Sequence, residues 1–288
     1  MSLCGLPPIA QKALDGWGTQ NFILAGRKSR WETKEIEGGM TITGAKPVGA
    51  EDETSAAEAV RAMFNSVAPR YDLLNHLLSS NVDRIWWWRA ARHFRGVLSR
   101  PDAAVLDICC GTGDMTMALL RRRPKNARPV LAADFARAML MRGKHKFGVR
   151  GAIALEADAL HLPLRSLSMD LIVTAFGFRN LANYDAGLRE FHRVLKPGGQ
   201  LGILDFSKPG GLLGKAYSIY FSHILPIVGR VVYGKDGPYK YLPESVDRFP
   251  APPAMLELMR AAGYENCAWQ PYTFGIAGLY TATRPLVV

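Results

Sequence analysis

The sequence predicts an α/β protein with a doubly wound, mostly parallel sheet, and three observations support this prediction. Short apolar runs typical of buried strands alternate with longer segments of helical periodicity. Such alternation is typical of a parallel sheet with helices on both faces. A glycine-rich turn follows the first strand, and hydrophobic residues make up 48% of the 288 residues, enough for a large core.

The elements can be assigned in chain order. Two helical stretches come first, Ser55–Arg70 and Tyr71–Val97. Five apolar runs are predicted strands: Ala104–Ile108, Pro129–Ala133, Ala152–Glu156, Leu171–Ala175 and Gln200–Asp205. Helices are predicted between them at Met115–Arg123, Arg137–Phe147 and Ala186–Leu195. A long aromatic and aliphatic insert, 210–248, precedes a helix at Pro253–Ala262 and a hairpin of Cys267–Thr273 with Gly278–Thr283, which brings the sheet to seven strands.

The first 50 residues differ from the rest of the chain. They mix glycine, proline and charges without periodicity, which predicts a disordered tail before a single domain at 51–288. A targeting segment is disfavoured because there is no apolar region with a small-residue cleavage site, and Glu32, Glu35 and Glu37 are acidic. Translation from Met40 is the alternative, in which the first 39 residues are a mis-assigned start.

Charge and cysteine usage limit the class of protein. The net charge of +11 predicts a negatively charged neighbour, which could be nucleic acid, an anionic membrane or an acidic cofactor. The four cysteines have neither C-x-x-C spacing nor a histidine cluster, so a reduced, cytoplasmic setting without a zinc site is expected. The longest apolar stretch, Ile224–Tyr233, is broken by proline, glycine and arginine, so the protein is expected to be soluble or peripheral to the membrane.

A candidate cofactor loop follows the first strand. The run from Asp107 through Gly111, Thr112 and Gly113 to Asp114 leaves a strand and opens a helix, where backbone N–H groups can approach a ligand. A tight strand-to-helix turn without a ligand is the alternative.

Acidic residues at the next two strand ends strengthen the case for a cofactor. Asp134 is placed to accept hydrogen bonds from ribose hydroxyls, although it could simply cap the following helix. Asp158 and the backbone N–H of Ala159 can contact an adenine ring. Three carboxylates at successive strand ends suit an adenosine that carries a positive centre, which predicts S-adenosylmethionine. A dinucleotide pyrophosphate is disfavoured because Asp114 would repel it.

These residues resemble the class I S-adenosylmethionine-dependent methyltransferases, which have a Rossmann-like fold, although Cys109 replaces the first glycine of their loop. Longer motifs resemble the narrower UbiE/MenG family of quinone-biosynthesis C-methyltransferases. The stretch 71–86, which begins YDLLN and ends at Trp86, is similar to one family signature, with Leu74 where Met is usual and Asp83 where His is usual. The stretch 193–207 is similar to the second signature, with Asp205 in place of Glu, and 176–180 resembles the family's Gly-hydrophobic-Arg-Asn loop.

The resemblance implies methyl transfer to a ring carbon of demethylmenaquinol, or of the benzoquinol precursor of ubiquinone. It also implies cofactor contacts, and together with the loop these give the following expected set: Tyr71, Asp107, Gly111, Thr112, Gly113, Asp134, Asp158, Ala159 and Ala175. Ala175 stands where the family often has Ser, so a side-chain contact is lost there.

Arg179 and Asn180 are the candidate catalytic residues, since they follow the fourth strand and could orient the quinol oxygen or a water. Arginine stays protonated, so Arg179 is expected to stabilise the developing phenolate rather than remove a proton. The alternative is that Arg179 pairs with Asp205 or Asp170 and only fixes a loop. No metal is expected.

The substrate implied by the resemblance sits in a bilayer, which predicts a location peripheral to the inner face of the membrane. The apolar side chains of 216–241 could form a lid or tail-binding surface, or could equally be core. Two basic clusters, at 121–128 and 137–150, could attract anionic lipid, but solvated helix faces are the favoured interpretation.

Three other classes of protein fit part of the sequence pattern. A nucleic-acid methyltransferase fits the charge but lacks the usual Asn/Asp-Pro-Pro-aromatic loop, so no nucleic-acid partner is expected. A nicotinamide-dependent oxidoreductase lacks a hydride-transfer centre. A non-catalytic cofactor-binding protein stays open, because Cys109 or Ala175 could have impaired catalysis. The oligomeric state is also open, with a homodimer as one option.

Overall fold

The computed structural model of the protein describes residues 44, 45, 47, 50–68, 81–209 and 241–286. These residues form a seven-stranded sheet with the order β3-β2-β1-β4-β5-β7-β6. The strands are β1 (Val105–Ile108), β2 (Val130–Asp134), β3 (Ala152–Glu156), β4 (Met169–Ala175), β5 (Leu195–Phe206), β6 (Glu265–Tyr272) and β7 (Ala277–Thr283). Strands β1 to β5 are parallel, and β7 pairs antiparallel with both β5 and β6. The predicted fold class is confirmed.

The helices are α1 (Glu53–Val67), α2 (Val82–His93), α3 (Arg95–Leu98), α4 (Asp114–Leu120), α5 (Arg137–Phe147), α6 (Tyr184–Val194), α7 (Tyr241–Arg248) and α8 (Pro252–Ala261). Alternation along the strands assigns neighbouring residues to opposite faces of the sheet. In β1, Leu106 and Ile108 belong to a core shared with α6 and α8, whereas Val105 belongs to a second core shared with α2, α4 and α5. Helices therefore cover both faces, as a doubly wound sheet requires.

Several boundaries differ from the sequence-based expectation. The predicted second helix is divided at Phe94, whose buried ring packs against Gly202 of β5, and its first part, 71–80, lies outside the described residues. Strand β5 begins at Leu195, five residues earlier than predicted, because Leu195 pairs with Met169 of β4 before a register shift. The α4 helix ends at Leu120 rather than Arg123.

The described end of the predicted tail contacts the domain. The backbone N–H of Ala45 donates to the carbonyl of Leu181 at 2.7 Å, and Ala50 packs in a small cluster with Ala56 and Ala182. Met40 and the rest of the predicted tail lie outside the described residues, as does 210–240 of the predicted insert.

The topology also fixes where the basic cluster at 121–128 lies. Helix α4 starts at the carboxyl end of β1 and its chain returns to the amino end of β2, so this cluster lies at the amino edge of the sheet. Arg123 is engaged there, donating to the carbonyls of Arg100, Ala103 and Arg128. Within the described part of the chain, no helix is both long and apolar enough to cross a membrane.

Candidate active site

A cleft opens at the carboxyl edge of the sheet, above the ends of β1 and β4. The strand order reverses direction between these two strands, and such a switch point is where open α/β sheets bind ligands. Of the predicted cofactor residues, six line the cleft: Gly111, Thr112, Asp134, Asp158, Ala159 and Ala175. Both predicted catalytic residues, Arg179 and Asn180, also line it. Tyr71 lies outside the described residues.

The glycine-rich loop is shaped by the residues packed behind it. Gly113 has a φ of 87°, and a Cβ there would overlap the ring of Phe147, so both backbone and packing require glycine. Cys109 adopts a φ of 57°, the left-handed conformation that the missing glycine would favour. The loop therefore keeps its shape with a thiol at this position.

A second turn, after β4, packs against the glycine-rich loop at Cys109. Phe176 also has a left-handed φ, 58°, and lines the cleft. A Cβ on the next residue, Gly177, would overlap the Cβ of Cys109. Two non-glycine residues in this conformation at neighbouring strand ends mark a locally strained site, as is common around active sites.

The carboxylate of Asp134 is held by two backbone donors. Its Oδ2 accepts from the N–H of Gly111 at 2.7 Å and its Oδ1 from the N–H of Ala136 at 2.8 Å. Asp134 thus shapes the turn before α5 while lining the cleft, but it is not the N-cap that the alternative proposed, because the N-cap is Ala136 and α5 has no side-chain cap. Burial raises the pKa of Asp134 to about 6, against the two backbone hydrogen bonds, which lower it.

Asp107 lies behind the cleft wall rather than in it, as does Gly113. The Asp107 side chain is fully buried and accepts a short hydrogen bond from the hydroxyl of Thr116. Burial raises the pKa of Asp107 to about 7. Its Oδ1 has no hydrogen-bond partner among the described residues. An unpaired buried carboxylate oxygen behind this loop favours a positively charged ligand group in the cleft.

Asp158 is more open than the other two strand-end carboxylates. Its side chain is 49% exposed, and Oδ1 accepts from the N–H of Leu160 at 2.9 Å. The second oxygen, Oδ2, lies 3.4 Å from Nδ1 of His161. The following residue, Ala159, is buried and lines the cleft beside it.

Arg179 pairs with Asp205, one of the two partners considered for it from the sequence. Its Nη1 lies 2.8 Å from Oδ1 of Asp205, and its backbone N–H donates to Oδ2 at 3.1 Å. The same Nη1 also donates to the carbonyl of Phe176. The other considered partner, Asp170, instead bonds Lys196 and Arg100. The guanidinium is therefore fixed and compensated in charge, yet it still borders the cleft.

Several residues that were not predicted as site residues also line the cleft. Asp83 and Trp87, one helical turn apart on α2, face the cleft together. Phe135, directly after Asp134, could have been found by the strand-end rule that found its neighbour. The same rule could have found Phe206, the last residue of β5, whereas Phe64 and Met139 lie on helices and give no such signal.

The cleft lining is acidic although the chain is basic. Among the described residues, four carboxylates line it, those of Asp83, Asp114, Asp134 and Asp158, against one guanidinium, that of Arg179. Asp114 is 3.3 Å from Lys146, so part of its charge is balanced from outside the cleft. Such a surface attracts a cationic ligand and disfavours a pyrophosphate. The residues present thus fit a sulfonium-bearing adenosine. Among the described residues, no three His, Cys, Asp or Glu side chains form a group that could hold a metal ion.

Comparisons with known proteins agree on one group. A family model described as the ubiE/COQ5 methyltransferase family matches residues 51–284. A demethylmenaquinone methyltransferase from Deinococcus radiodurans is 42% identical over 248 residues, covering 85% of this chain and all of that protein. One from Thermus thermophilus is 43% identical over 226 residues, covering 77% of this chain and all of that protein.

A solved structure shows the same fold at lower identity. A SAM-dependent methyltransferase from Thermotoga maritima aligns with a TM-score of 0.55 and 17% identity, covering 78% of this chain and 99% of that one. Identity this low supports the fold and carries nothing about the substrate.

Proposed function

Because the chain belongs to the ubiE/COQ5 methyltransferase family, we propose that it transfers a methyl group from S-adenosylmethionine to a ring carbon of demethylmenaquinol. The product is menaquinol, and the activity is one step of menaquinone biosynthesis. The observation that carries the proposal is the acidic cleft at the β1/β4 switch point, which suits a cationic methyl donor.

S-adenosylmethionine, when bound, supplies a methyl group made electrophilic by its sulfonium. Asp134 would accept hydrogen bonds from the ribose hydroxyls through lone pairs that its two backbone donors leave free. Asp158 and the N–H of Ala159 would contact the adenine, next to the apolar ring of Phe135. Asp107 would act through the loop, because its carboxylate lies behind it.

The acceptor must be the reduced quinone. A quinone ring carbon is electron-poor, whereas a quinol hydroxyl pushes electron density onto the ring carbon as its proton leaves. Arg179, held by Asp205, would border this oxygen and stabilise the charge that develops on it. Fixing the guanidinium beforehand avoids reorganising it during the reaction.

Quinone profiling tests the physiological substrate. The gene is expressed in a bacterial strain that lacks its own demethylmenaquinone methyltransferase, and the membrane quinones are identified by mass. We expect menaquinone to reappear with the wild-type chain and to stay low with Arg179→Ala, at matched protein levels. Accumulated demethylmenaquinone despite a folded, expressed wild-type chain would contradict the proposal.

We further propose that the face around the cleft mouth contacts the membrane. The turn Thr273–Gly275 joins β6 to β7 at the carboxyl edge, since Ala277 pairs with Phe206 there. Phe274 in this turn is 79% exposed, and Ile85 of α2 is 56% exposed. The turn is tied to α2 by a 2.8 Å hydrogen bond from Trp86 Nε1 to Thr273. Exposed apolar side chains beside a basic helix suit an anionic bilayer surface.

Vesicle flotation tests this face. We expect the protein to float with vesicles containing phosphatidylglycerol, and Phe274→Glu to float less. Val149→Glu is the matched control, because Val149 is 88% exposed but lies before β3, at the opposite edge of the sheet. Equal flotation of the two variants would contradict this orientation.

A further inference from the structure

The side chain of Asn180 is held by two partners at the edge of the cleft. Its Oδ1 accepts a hydrogen bond from the hydroxyl of Tyr241, at 3.1 Å. Its Nδ2 donates to the carbonyl of Phe176, at 3.4 Å. Tyr241 is the first residue of α7, and Asn180 ends the short turn Phe178–Asn180 after β4. The contact therefore joins α7 to the active-site turn.

These two bonds fix which way the amide points. An asparagine amide has two N–H donors and one carbonyl acceptor, and the hydrogen-bond network decides its orientation. The Phe176 carbonyl can only accept, so it selects the orientation in which Nδ2 faces it, and the Tyr241 hydroxyl, which can donate or accept, then donates to Oδ1. The second N–H of Nδ2 has no partner among the described residues, and Asn180 lines the cleft.

The Phe176 carbonyl also accepts a hydrogen bond from the guanidinium of Arg179. Arg179 and Asn180 thus share the Phe176 carbonyl as a common support, and Asp205 already compensates the arginine charge. A neutral N–H donor beside a compensated guanidinium is suited to an oxygen that becomes negative during the reaction. It is not suited to accept a proton, since the amide oxygen is occupied.

We propose that Tyr241 is a positioning residue that holds the Asn180 amide as a hydrogen-bond donor toward the quinol oxygen. This inference rests on the proposed function, because it needs a substrate oxygen that gains negative charge. Burial raises the pKa of Tyr241 to about 12, so its hydroxyl stays protonated and keeps donating to Asn180 throughout the pH range of an assay. Tyr241 itself makes no contact with the substrate in this account.

Paired variants test the polarity of the amide. Asn180→Ala removes the donor, and Asn180→Asp replaces it by an acceptor of the same shape. If Asn180 donates, both variants lose about 100-fold or more in kcat. If it accepts, as a group that orients a quinol hydroxyl or a water would, Asn180→Asp keeps most of the activity.

Tyr241→Phe tests the positioning role. Removing one hydrogen bond should lower kcat about 10-fold, with an unchanged dissociation constant for S-adenosylmethionine. The pH profile should change as well, with the rise of kcat shifted to higher pH because the phenolate is less stabilised. In the Asn180→Ala background the same substitution should have no further effect, since Tyr241 acts through Asn180.

The control is Tyr264→Phe, which removes a buried tyrosine hydroxyl that donates to the Leu188 carbonyl at 3.0 Å, away from the cleft. It should leave kcat and the pH profile unchanged. An active Asn180→Asp, a Tyr241→Phe that behaves like this control, or losses that multiply in the double variant would overturn the inference. A wild-type protein that does not methylate demethylmenaquinol would instead contradict the proposed function, and this inference with it.

Discussion

At the scale of single residues, burial raises the pKa of two carboxyl groups next to the glycine-rich loop, those of Asp107 and Asp134. The pKa of Asp107 is raised to about 7 and that of Asp134 to about 6, in both cases chiefly by removal from water. A carboxyl whose pKa is raised on folding stabilises the fold at low pH and loses that contribution as pH rises through the raised value. At neutral pH and above, the buried negative charges of these carboxylates therefore lower the free energy of unfolding of the free protein.

Asp107→Asn tests this effect of the buried charge. The substitution should stabilise the free protein at pH 8 by about 1–4 kcal/mol, because an amide has no charge to bury. The gain should shrink as the pH falls below 7 and vanish below about pH 3, where the wild-type carboxyl is protonated in both the folded and unfolded states. Urea unfolding across this pH range measures it.

The same substitution, Asp107→Asn, should lower the affinity for S-adenosylmethionine while it raises the stability of the free protein. We expect Asp107→Asn to weaken binding about 10-fold, as the loss of a buried negative charge near a cationic ligand implies. Calorimetry at pH 8 measures this change. A variant that is less stable than the wild type at pH 8 while unchanged at pH 3 would contradict this effect of the buried charge.

Cys109 and Gly177 form a second residue-level pair, at touching strand ends. Gly177→Ala alone should cost about 1–3 kcal/mol of unfolding free energy, because its Cβ would overlap that of Cys109. In a Cys109→Gly background the cost should fall below about 1 kcal/mol, since the overlap is gone. Thermal unfolding of the four chains measures the coupling, and additive effects would show that the overlap is not its cause.

At the scale of elements, α2 orders one wall of the cleft. Trp86 bonds Thr273 and its ring lies 5.7 Å from that of Phe176 and 6.2 Å from that of Phe206. Because Phe176 and Phe206 both line the cleft, a shift of this helix would change the shape of the cleft.

Trp86→Phe keeps an aromatic ring but removes its hydrogen bond to Thr273. We expect a loss of about 1–3 kcal/mol in unfolding free energy and weaker binding of S-adenosylmethionine. Trp88→Phe, on the exposed side of the same helix, is the comparison, since Trp88 is 48% exposed and its ring contacts the guanidinium groups of Arg92 and Arg122. If both variants bind the cofactor equally, α2 does not order the cleft.

The elements were largely predictable because strand and helix periodicities differ so clearly. The run 152–156 and the helix at 137–147 were predicted to the residue, and the glycine-rich turn identified the switch point. The division of the α2 region at Phe94 was not predictable, because it depends on the ring packing against Gly202, which lies 108 positions later. Likewise the early start of β5 depends on its pairing with β4.

The candidate site was predictable wherever a residue follows a strand. This rule found Asp134, Asp158 and Arg179 in the cleft lining. It misplaced Asp107, whose side chain lies under α4, where it bonds Thr116, and is therefore buried behind the loop. It could not find Asp83 or the Tyr241 contact, which come from helices brought to the site only by the tertiary fold.

At the scale of the whole molecule, the charge distribution fits the two partners proposed for the protein. The chain carries a net charge of +11, whereas four carboxylates among the described residues line its cleft. A basic exterior suits an anionic membrane and an acidic cleft suits a cationic methyl donor. Both partners can therefore be attracted by one molecule without competing for the same surface.

This separation predicts different salt dependences. Flotation with phosphatidylglycerol vesicles should fall steeply between 50 and 500 mM salt, because the Debye length falls from about 14 to about 4 Å over this range. Affinity for S-adenosylmethionine should change much less, because its carboxylate partners are partly buried. Parallel loss of both activities with salt would contradict the separation.

The most direct test of the central claim is transfer of a labelled methyl group from S-adenosylmethionine to demethylmenaquinone in detergent, with and without a reductant. The account predicts label in menaquinone only when the quinone is reduced, and a large loss of rate in Arg179→Ala. Labelling of the oxidised quinone at an equal rate would contradict the quinol mechanism. Bound S-adenosylmethionine without any label in the quinol would contradict the assigned substrate.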